Sequence, residues 1–264
     1  MADSYYEIKR RCTDLYAKYP FLNYQILGRS HLGRDIFSLS IGCNENRTLI
    51  LSSPKANSKS SPNLLVNFLD ELCFSIYKGS DMAGLNIRRA LKDKGVTVIP
   101  FFNPDGYDFV ISGDKSLPKG AKPAAELSKI NKEDLVTNIG GVDLYYNFLK
   151  RNPTVPFKRG FSGYSPLSEP ESVTIAEFCR KNTVEKLVLI ESGENAIGYF
   201  PDAKDSEKIS QILSAASLMP RYKLCDTSGF LYWYRSKING NAFMLNINDD
   251  YARLREALVL VSIM

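Results

Sequence analysis

Apolar residues along this chain alternate between short continuous runs and stripes with the spacing of an α-helix. Residues 49–72 show both patterns: an apolar run at 49–51 has the length that a covered strand needs, and a helical stripe follows it. Ser61 and Pro62 are residue types that start helices. The polar residues 52–60 would therefore follow the carboxyl end of a strand, where open α/β sheets bind ligands. This loop is the predicted place of function.

Similar patterns recur from end to end without internal repeats. The predicted strands are 24–27, 36–41, 48–52, 96–102, 187–190, 221–224 and 242–247. The predicted helices are 4–19, 62–78, 87–94, 168–181, 205–218 and 230–238, with a terminal helix capped by Asp249 and running to Val261. Because strands and helices alternate, we expect one α/β domain over residues 1–264, with a mixed, largely parallel sheet between helices.

Three polar segments interrupt the periodic ones. The tetrapeptide at 103–106, Asn-Pro-Asp-Gly, has the composition of a turn. At 168–171, Ser-Glu-Pro-Glu predicts a capping box, in which the serine hydroxyl and the second glutamate satisfy each other's backbone amides. Residues 112–141 form the longest predicted loop, with a short helix near 124–130. Loops of this size in compact domains are usually functional or mobile.

Charge and targeting signals narrow the function classes. The 34 basic and 29 acidic residues are spread along the chain and leave a formal net charge of +5, which is typical of a solvated surface. The basic cluster Lys150, Arg151, Lys158 and Arg159 is the one patch that could meet an anion. The N-terminus lacks an apolar h-region, and no stretch approaches the roughly 18 apolar residues of a membrane span. We therefore expect a soluble cytoplasmic protein.

Cysteine spacing gives no sign of a metal or redox site. The five cysteines are widely spaced and fall mostly in apolar helix or strand patterns, at Cys12, Cys43, Cys73, Cys179 and Cys225. Because no Cys-x-x-Cys pair is present, we expect reduced and buried thiols.

Several short motifs occur in an order that is characteristic of a known family. They are Gly33-Arg34, Asn103-Pro104-Asp105-Gly106, Gly141-Val142-Asp143-Leu144 followed by Asn147-Phe148, Ser162-Gly163 and Ser168-Glu169-Pro170-Glu171. Together they resemble the zinc carboxypeptidase family, and within it the bacterial branch that cleaves cell-wall γ-D-glutamyl-diamino-acid peptides. The resemblance extends from about residue 5 to residue 248. It implies a mixed, mostly parallel eight-stranded sheet between helices.

The resemblance does not extend to the metal ligands of that family. Its members hold zinc with a His and a Glu three residues apart, in the loop after the strand predicted at 48–52, and with a second His at the end of a later strand. The matching positions here carry Lys55, Ser58 and, by a less certain alignment, Glu191. None of the three is the family's residue.

The family's base and substrate clamp are replaced as well. Asn246 stands on the last strand where the family has its catalytic carboxylate. Tyr145 and Tyr146 replace the Asn-Arg pair that grips the terminal carboxylate of the substrate. We therefore expect a degenerate site with no catalytic residue, no metal ligand and no zinc cofactor.

Elementary chemistry supports the same expectation. A catalytic zinc needs three protein ligands, usually including imidazoles, and an open position for water. The one histidine of the chain, His31, lies in a predicted strand connection, where a surface or turn histidine is expected. A protonated Lys55 would repel a divalent cation. The amide of Asn246 cannot take a proton from water as a general base must.

The leading hypothesis is an inactive carboxypeptidase-like protein that keeps the groove of the family as a binding or regulatory module. Lys55 and Glu191 would then form an ion pair where zinc would lie, with their charged groups within about 6 Å. Arg34, Tyr145 and Tyr146, together with the basic cluster, would bind a peptide or a cell-wall peptide fragment. Alternatively, the tyrosines simply fill a pocket that is no longer needed.

Three other functions stay open. An active metallopeptidase would need an unusual ligand set, such as Glu191 with Asp143 or Glu194. A hydrolase built on Ser52 and Lys55 would match the serine-lysine spacing of penicillin-recognising enzymes, although that pattern works at the start of a helix. Nucleic-acid binding would rest on net charge alone, so neither a nucleic acid nor a membrane is an expected partner. The oligomeric state is left open.

Overall fold

The alternating strands and helices build one eight-stranded sheet with helices on both faces in the computed structural model, which describes residues 3–45, 47–119, 126–150, 155–248 and 250–264. The strands are β1 (Asn23–Arg29), β2 (Asp35–Gly42), β3 (Arg47–Leu51), β4 (Asp81–Met82), β5 (Leu85–Asn86), β6 (Gly95–Ile99), β7 (Val184–Ser192), β8 (Ala196–Tyr199), β9 (Arg221–Lys223) and β10 (Asn241–Ile247). The α-helices are α1 (Tyr5–Lys18), α2 (Ser61–Lys78), α3 (Ile87–Ala90), α4 (Pro104–Ser112), α5 (Pro170–Lys181), α6 (Ser206–Ser217), α7 (Phe230–Ile238) and α8 (Tyr251–Ile263).

The sheet is mixed, with a parallel centre. Its strand order is β1-β2-β6-β3-β7-β10-β8-β9, and β4 pairs with β5 in a separate hairpin. The neighbours β6, β3, β7 and β10 run parallel, β8 and β9 are also parallel, and the other pairs are antiparallel. This confirms the predicted fold class. Because parallel neighbours end at the same edge, the loops after β3, β7 and β10 meet there.

The central strands are covered on both faces, as parallel strands require. All five residues of β3 are buried. Ile50 packs into the cluster formed with α1, α2, α6 and α8, whereas Leu49 and Leu51 pack into the cluster formed with α5 and α7. This alternation follows from the two-residue period of a strand. Among the described helices, none combines the length and the apolarity that crossing a membrane requires.

The predicted turn at 103–106 is wrong, because these residues begin α4. Asn103 is the N-cap, and its side chain accepts a hydrogen bond from the Gly106 amide at 3.0 Å, with Pro104 in the first turn. Asparagine and proline favour turns and helix starts for the same local reasons, so composition does not separate the two. Gly106 permits close packing, since a Cβ there would lie 2.8 Å from the Cβ of Ala56.

Other differences concern short elements. The helix predicted at 87–94 is the four-residue α3, and the one near 124–130 is a 3-10 turn at Leu127–Lys129, with residues 124 and 125 outside the described part. The predicted cap Asp249 also lies outside the described residues, and Asp250 caps α8 through the Arg253 amide. Strands β4, β5 and β8 have no counterpart in the prediction because each is too short for a clear period.

The cysteines are separate thiols, but they are less uniformly buried than predicted. Cys12, Cys73 and Cys179 are buried, whereas Cys43 is half-buried and Cys225 is exposed. Burial raises the pKa of each of the three buried thiols to about 12, so they stay protonated and act as small apolar side chains.

The capping box predicted at 168–171 does not form. Glu169 occupies the N-cap of α5 without a side-chain cap, and the Ser168 hydroxyl donates to the Glu169 carboxylate. Glu171 instead turns inward, is 0% exposed, and accepts the backbone N–H of His31 at 3.0 Å. Tertiary contact with the β1–β2 turn therefore overrides the local pattern. Burial raises the pKa of Glu171 to about 7, with Asp105 and Glu169 adding to the rise.

Glu171 should make stability fall as pH rises through neutrality. Its pKa in the folded protein, about 7, lies above the ordinary value of 4.5, so the folded state holds this proton more tightly than the unfolded state. The contribution of Glu171 to the free energy of unfolding is complete below pH 4.5 and is lost as pH rises through about 7. We expect Glu171→Gln to be more stable than the wild type by ~1–3 kcal/mol at pH 8 and to lose this advantage near pH 4.5, measured by urea unfolding.

Glu177→Gln is the matched control, because Glu177 is an exposed carboxylate on the same helix, bonded to Lys181. The hydrogen bond to Lys181 lowers the pKa of Glu177, so this control should show a small pH dependence of opposite sign. Parallel pH profiles of the wild type and Glu171→Gln would contradict the prediction.

Candidate functional site

The site lies where three parallel strands end together. Glu191 is near the end of β7, and its register partner on β10 is Asn246. The loop after β3 runs across the same edge and carries Lys55 and Ser58. The structure therefore brings all four of the predicted degenerate positions to the carboxyl edge of the sheet.

Lys55 and Glu191 form the predicted ion pair. The Lys55 Nζ lies 2.6 Å from Glu191 Oε2, and the Ser53 hydroxyl donates to Glu191 Oε1 at 2.8 Å. The Glu191 side chain is only 3% exposed, whereas that of Lys55 is 30% exposed. Because the carboxylate is buried and the ammonium is partly open to solvent, Lys55 closes the site from the outside. The prediction of a pair within about 6 Å is confirmed.

Ser58 belongs to a network of hydroxyl groups. Its backbone N–H donates to the Lys55 carbonyl at 3.3 Å. This hydrogen bond closes a turn and holds residues 55 and 58 close together in space. Its hydroxyl lies 2.8 Å from that of Ser192 and donates to that of Ser61 at 3.1 Å. Neutral hydroxyl groups fill this side of the site, and they are weak ligands for zinc compared with imidazole or carboxylate.

Asn246 is engaged by a residue that sequence reasoning did not single out. Its Nδ2 donates to the Tyr222 hydroxyl at 3.2 Å. Tyr222 comes from the edge strand β9, which is separated from β10 by the single strand β8. The Tyr222 side chain spans this strand to reach Asn246. No sequence signal could have found this contact, since it depends on strand order. The amide acts as a donor here, and it cannot accept a proton from water as a general base must.

Asp143 adds a second buried carboxylate. It is 2% exposed, and its two oxygens accept the backbone N–H groups of Tyr145 at 3.2 Å and Gly160 at 2.9 Å. Burial raises the pKa of Asp143 and these two amides oppose the rise. Lys55 and Glu191 are close enough to influence its charge. Asp143 therefore belongs to the same electrostatic cluster as the ion pair.

The two tyrosines at the clamp positions have different environments. Tyr145 is 8% exposed and packs so tightly on Gly229 that a Cβ there would lie 2.0 Å from its ring. Burial, and then the charge of Asp226, raise the pKa of Tyr145, so it stays neutral. Tyr146 is half-buried and meets the Tyr145 ring edge to face at 5.0 Å. Tyr145 is thus a wall of the site, and Tyr146 is the more accessible of the two rings.

Arg34 has a different place from the one predicted. Its guanidinium is 6% exposed and lies between Asp105 at 2.8 Å and Asp108 at 2.7 Å, both on α4. It also donates to the Ser116 carbonyl at 2.5 Å. With these contacts it ties the β1–β2 turn to α4, so a role in ligand binding is not supported by its geometry. Burial between two carboxylates gives Arg34 a structural role.

The remaining candidates can also be placed. Lys150, Lys158 and Arg159 are exposed, and Arg151 lies outside the described residues. His31 is exposed in the β1–β2 turn, and Glu194 is exposed after β7. Ser52 is 1% exposed and its hydroxyl accepts the Phe102 amide at 3.3 Å, so it is inaccessible as a nucleophile and does not begin a helix. The serine-lysine hypothesis is therefore wrong.

The donor set at the family's metal position does not fit zinc. The position is bounded by the Lys55 ammonium, the Ser58 hydroxyl and one carboxylate, that of Glu191, which is bonded to Lys55. Within the part of the chain that the structure describes, no group of three His, Cys, Asp or Glu side chains could hold a metal ion. A cation already bonded to the carboxylate opposes a divalent ion by direct Coulomb repulsion.

An open depression of about 410 Å³ lies at the same edge of the sheet and is lined by Ser192, the residue that follows Glu191 in β7. It lies between the loop after β3 and the ends of β7 and β10, with Ser60, Ser192, Glu194 and Asn248 among its lining residues. Hydroxyl, amide and carboxylate groups at its surface are suited to hydrogen bonding with a polar ligand.

Comparison with known proteins agrees with the fold of this chain. Residues 8–230 match the family model described as zinc carboxypeptidase. YqgT of Bacillus subtilis (strain 168), an uncharacterized protein, is 30% identical over 186 residues, which are 65% of this chain and 49% of that protein. γ-D-glutamyl-L-diamino acid endopeptidase 1 of Lysinibacillus sphaericus is 28% identical over 175 residues, 63% of this chain and 44% of that protein. The chain spans about half the length of these curated relatives.

Solved structures of metallocarboxypeptidases have the same fold. Bovine thrombin-activatable fibrinolysis inhibitor, in complex with tick carboxypeptidase inhibitor, superposes with a TM-score of 0.76 at 17% identity, covering 99% of this chain and 96% of that one. Murein-tripeptide amidase MpaA from Escherichia coli O157 gives a TM-score of 0.59 at 19% identity and covers 90% of each chain. At such identities the likeness establishes the fold alone.

Proposed function

We propose that this chain, which belongs to the zinc carboxypeptidase family, has no peptidase activity and uses its groove to bind a peptide or a cell-wall peptide fragment. The observation that carries the proposal is the contact of Lys55 Nζ with Glu191 Oε2 at 2.6 Å, at the position where the family binds zinc. The ammonium neutralises the buried carboxylate, so the protein is stable there without a metal.

The groups that would perform the reaction are absent together. Asn246 provides an amide in place of the general base, and it is bonded to Tyr222. Tyr145 and Tyr146 provide neutral rings in place of the clamp. Peptide hydrolysis through a metal-activated water needs the metal, the base and a positioned substrate at the same time. Losing one would slow the reaction, and losing all three leaves no route to it.

The ligand class is supported by two observations. The depression at this edge of the sheet presents hydroxyl, amide and carboxylate groups that suit the amide bonds of a peptide. In addition, the names of an endopeptidase relative and of the murein-tripeptide amidase refer to cell-wall peptides. A protein that keeps this groove and loses the chemistry would act as a binding module.

Three measurements on the same preparation test the proposal. Protein purified without chelator should contain no stoichiometric zinc by mass spectrometry and should not cleave a γ-D-glutamyl-diamino-acid peptide, with or without added zinc. Calorimetry should detect binding of a muramidase digest of peptidoglycan. Ser192→Trp should abolish that binding, because Ser192 lines the depression and is exposed.

The matched control is Ser236→Trp at the opposite, amino end of β7 and β10, which should leave binding unchanged. Stoichiometric zinc together with chelator-sensitive cleavage would overturn the inactive half of the proposal. A digest that does not bind to the wild type would overturn the binding half.

A further inference from the structure

A second cavity lies apart from the groove, between α1, the β1–β2 hairpin and the segment that follows α4. Its volume is about 360 Å³, which is within the roughly 300–1,000 Å³ of pockets for small molecules. Of the described residues that line it, four are cations and one is a carboxylate: Lys9, Arg29, Arg34, Lys115 and Asp35. It shares no described lining residue with the depression at the carboxyl edge of the sheet. The cavity is therefore a separate feature with its own charge.

Hydrogen bonds tie the three walls of this cavity together. The Tyr5 hydroxyl on α1 donates to the Asp35 carbonyl at 3.0 Å, and the Arg34 guanidinium donates to the Ser116 carbonyl at 2.5 Å. All four residues are buried, so water does not compete for these contacts. Walls that are fixed before a ligand arrives lower the conformational cost of binding.

The cations at the rim outnumber the carboxylates that pair with them. Lys9 and Arg29 share one partner, Asp35: the Lys9 Nζ lies 2.6 Å from one carboxylate oxygen and the Arg29 Nη1 lies 3.1 Å from the other. Lys115 is exposed and has no ion pair among the described residues. With three cations and one carboxylate, the rim has an excess of two positive charges.

Arg34 lines the cavity but belongs to the scaffold through its two terminal nitrogens. They lie 2.8 Å from Asp105 and 2.7 Å from Asp108, and this group of three carries one negative charge, so rim and scaffold together are still positive. The Nε of Arg34 is buried and has no hydrogen-bond partner within the described part of the chain. A buried donor without an acceptor is uncommon and points to an acceptor that the protein itself does not supply.

An exposed aromatic ring borders the same cavity. Tyr6 is 64% exposed, and its ring meets the buried Tyr5 ring edge to face at 5.1 Å. The guanidinium carbon of Arg34 lies 5.8 Å from the centroid of the Tyr6 ring. These contacts orient the ring while most of its surface stays open to solvent. Such a ring can stack on a sugar or on a base.

The arrangement of the rim cations favours a phosphate over a carboxylate. Lys9, Arg29 and Lys115 come from three different elements: α1, β1 and the 3-10 helix Gly113–Ser116. A carboxylate has two oxygens in one plane, and Asp35 already fills that role between two of the cations. A phosphomonoester has three terminal oxygens and about 1.5–2 negative charges at neutral pH, so it can accept hydrogen bonds from all three cations at once.

We infer that this cavity binds a phosphomonoester attached to a ring, either a sugar phosphate or a nucleoside monophosphate. The phosphate lies among Lys9, Arg29 and Lys115, and the ring stacks on Tyr6. This binding activity is separate from the proposed binding of a peptide in the groove, because the two sites have no described lining residue in common.

Calorimetry on the full chain tests the inference with matched probes: AMP and adenosine, glucose 6-phosphate and glucose, and inorganic phosphate. We expect at least one phosphomonoester to bind ~10-fold more tightly than its uncharged parent and more tightly than inorganic phosphate. The phosphomonoester that binds better identifies the ring. Raising salt to about 0.5 M should weaken binding, because screening reduces the attraction between exposed charges.

Variants assign the two parts of the ligand to the two parts of the site. Lys115→Met should weaken binding of the phosphomonoester and of inorganic phosphate alike. Tyr6→Ala should weaken binding of the phosphomonoester and leave that of inorganic phosphate unchanged. The matched controls are Lys78→Met and Tyr77→Ala, which should change neither affinity. Lys78 is an exposed lysine 5.6 Å from the centroid of the exposed Tyr77 ring, and neither residue lines the cavity.

The possible outcomes separate a built site from a charged surface. If neither phosphomonoester binds more tightly than its uncharged parent, the inference is overturned. Equal losses of affinity in Lys115→Met and Lys78→Met would overturn it as well, because general surface charge would then hold the probe. An unchanged affinity of Tyr6→Ala for the phosphomonoester would contradict the stacked ring. Losses confined to the Lys115 and Tyr6 variants support the inference, whether or not the groove binds a peptidoglycan digest.

Discussion

Replacing Lys55 by His, Ser58 by Glu and Glu191 by His together should create a zinc site. The triple variant supplies two imidazoles and a carboxylate and leaves a fourth position for water, which is the ligand number of a catalytic zinc. It also removes the ammonium that opposes a divalent cation. We expect the dissociation constant for zinc to fall by at least ~100-fold relative to the wild type, equivalent to about 2.7 kcal/mol.

The geometry of the loop favours this result. The Ser58 amide donates to the Lys55 carbonyl at 3.3 Å and closes a turn. This turn holds the positions of the family's first two ligands close together. The contact of Lys55 with Glu191 at 2.6 Å shows that side chains from the loop and from β7 meet. Zinc affinity is measured by competition with a chromophoric chelator, and circular dichroism checks that each variant is folded.

Lys55→His alone is the matched control, since one imidazole beside Glu191 should bind zinc far more weakly than the complete set. A folded triple variant that binds zinc no better than the wild type would show that these three positions do not surround a common point. The triple variant should also fail to cleave peptides, because Asn246 is still an amide. Chelator-sensitive hydrolysis should appear only after Asn246→Glu is added.

Arg34→Met should lower the free energy of unfolding by ~3–5 kcal/mol, because it leaves two buried carboxylates without their cation. The side chains of Asp105 and Asp108 are 0% and 3% exposed, so solvent cannot replace the guanidinium. The Ser116 carbonyl would also lose its donor. Equilibrium unfolding in urea measures the change, and the m-value shows whether the transition stays two-state.

Arg29→Met is the control from the same hairpin. Arg29 is 66% exposed and pairs with Asp35 at 3.1 Å, so its loss should change stability by less than ~1 kcal/mol. Adding Asp105→Asn and Asp108→Asn to Arg34→Met should recover part of the loss, because the uncompensated charges are removed. Equal effects of Arg34→Met and Arg29→Met would contradict the structural role assigned to Arg34.

Long apolar segments were predictable because the period of their apolar residues indicates the type of element and its buried face. The run at 49–51 and the stripe that follows it form β3 and α2 as expected, and β3 is buried throughout because it lies at the centre of the sheet. Short elements such as β8 were not predictable, since four residues do not display a period. Order of motifs identified the family, and the family supplied the strand count.

Polar signals were reliable only where no tertiary partner competed. A capping box that was not predicted forms between Ser4 and Glu7 at the exposed start of α1, whereas the similar pattern at Ser168 fails because Glu171 accepts the His31 amide and becomes buried. Asn103 was placed in a turn but caps α4. In each case a local motif defines which hydrogen bonds are available, and the surrounding structure selects among them.

The sequence by itself determined the family frame and the chemical groups that are missing from it. Periodicity and side-chain type are local properties, so the absence of imidazoles at positions 55 and 191 and of a carboxylate at 246 could be seen without a structure. Only the tertiary structure decided which groups meet. Lys55 binds Glu191 across 136 residues, and Arg34 binds Asp105 across 71, because strand order and helix placement bring them together. No local pattern encodes contacts between residues so far apart in the sequence. These contacts make Lys55 part of the groove and Arg34 part of the scaffold.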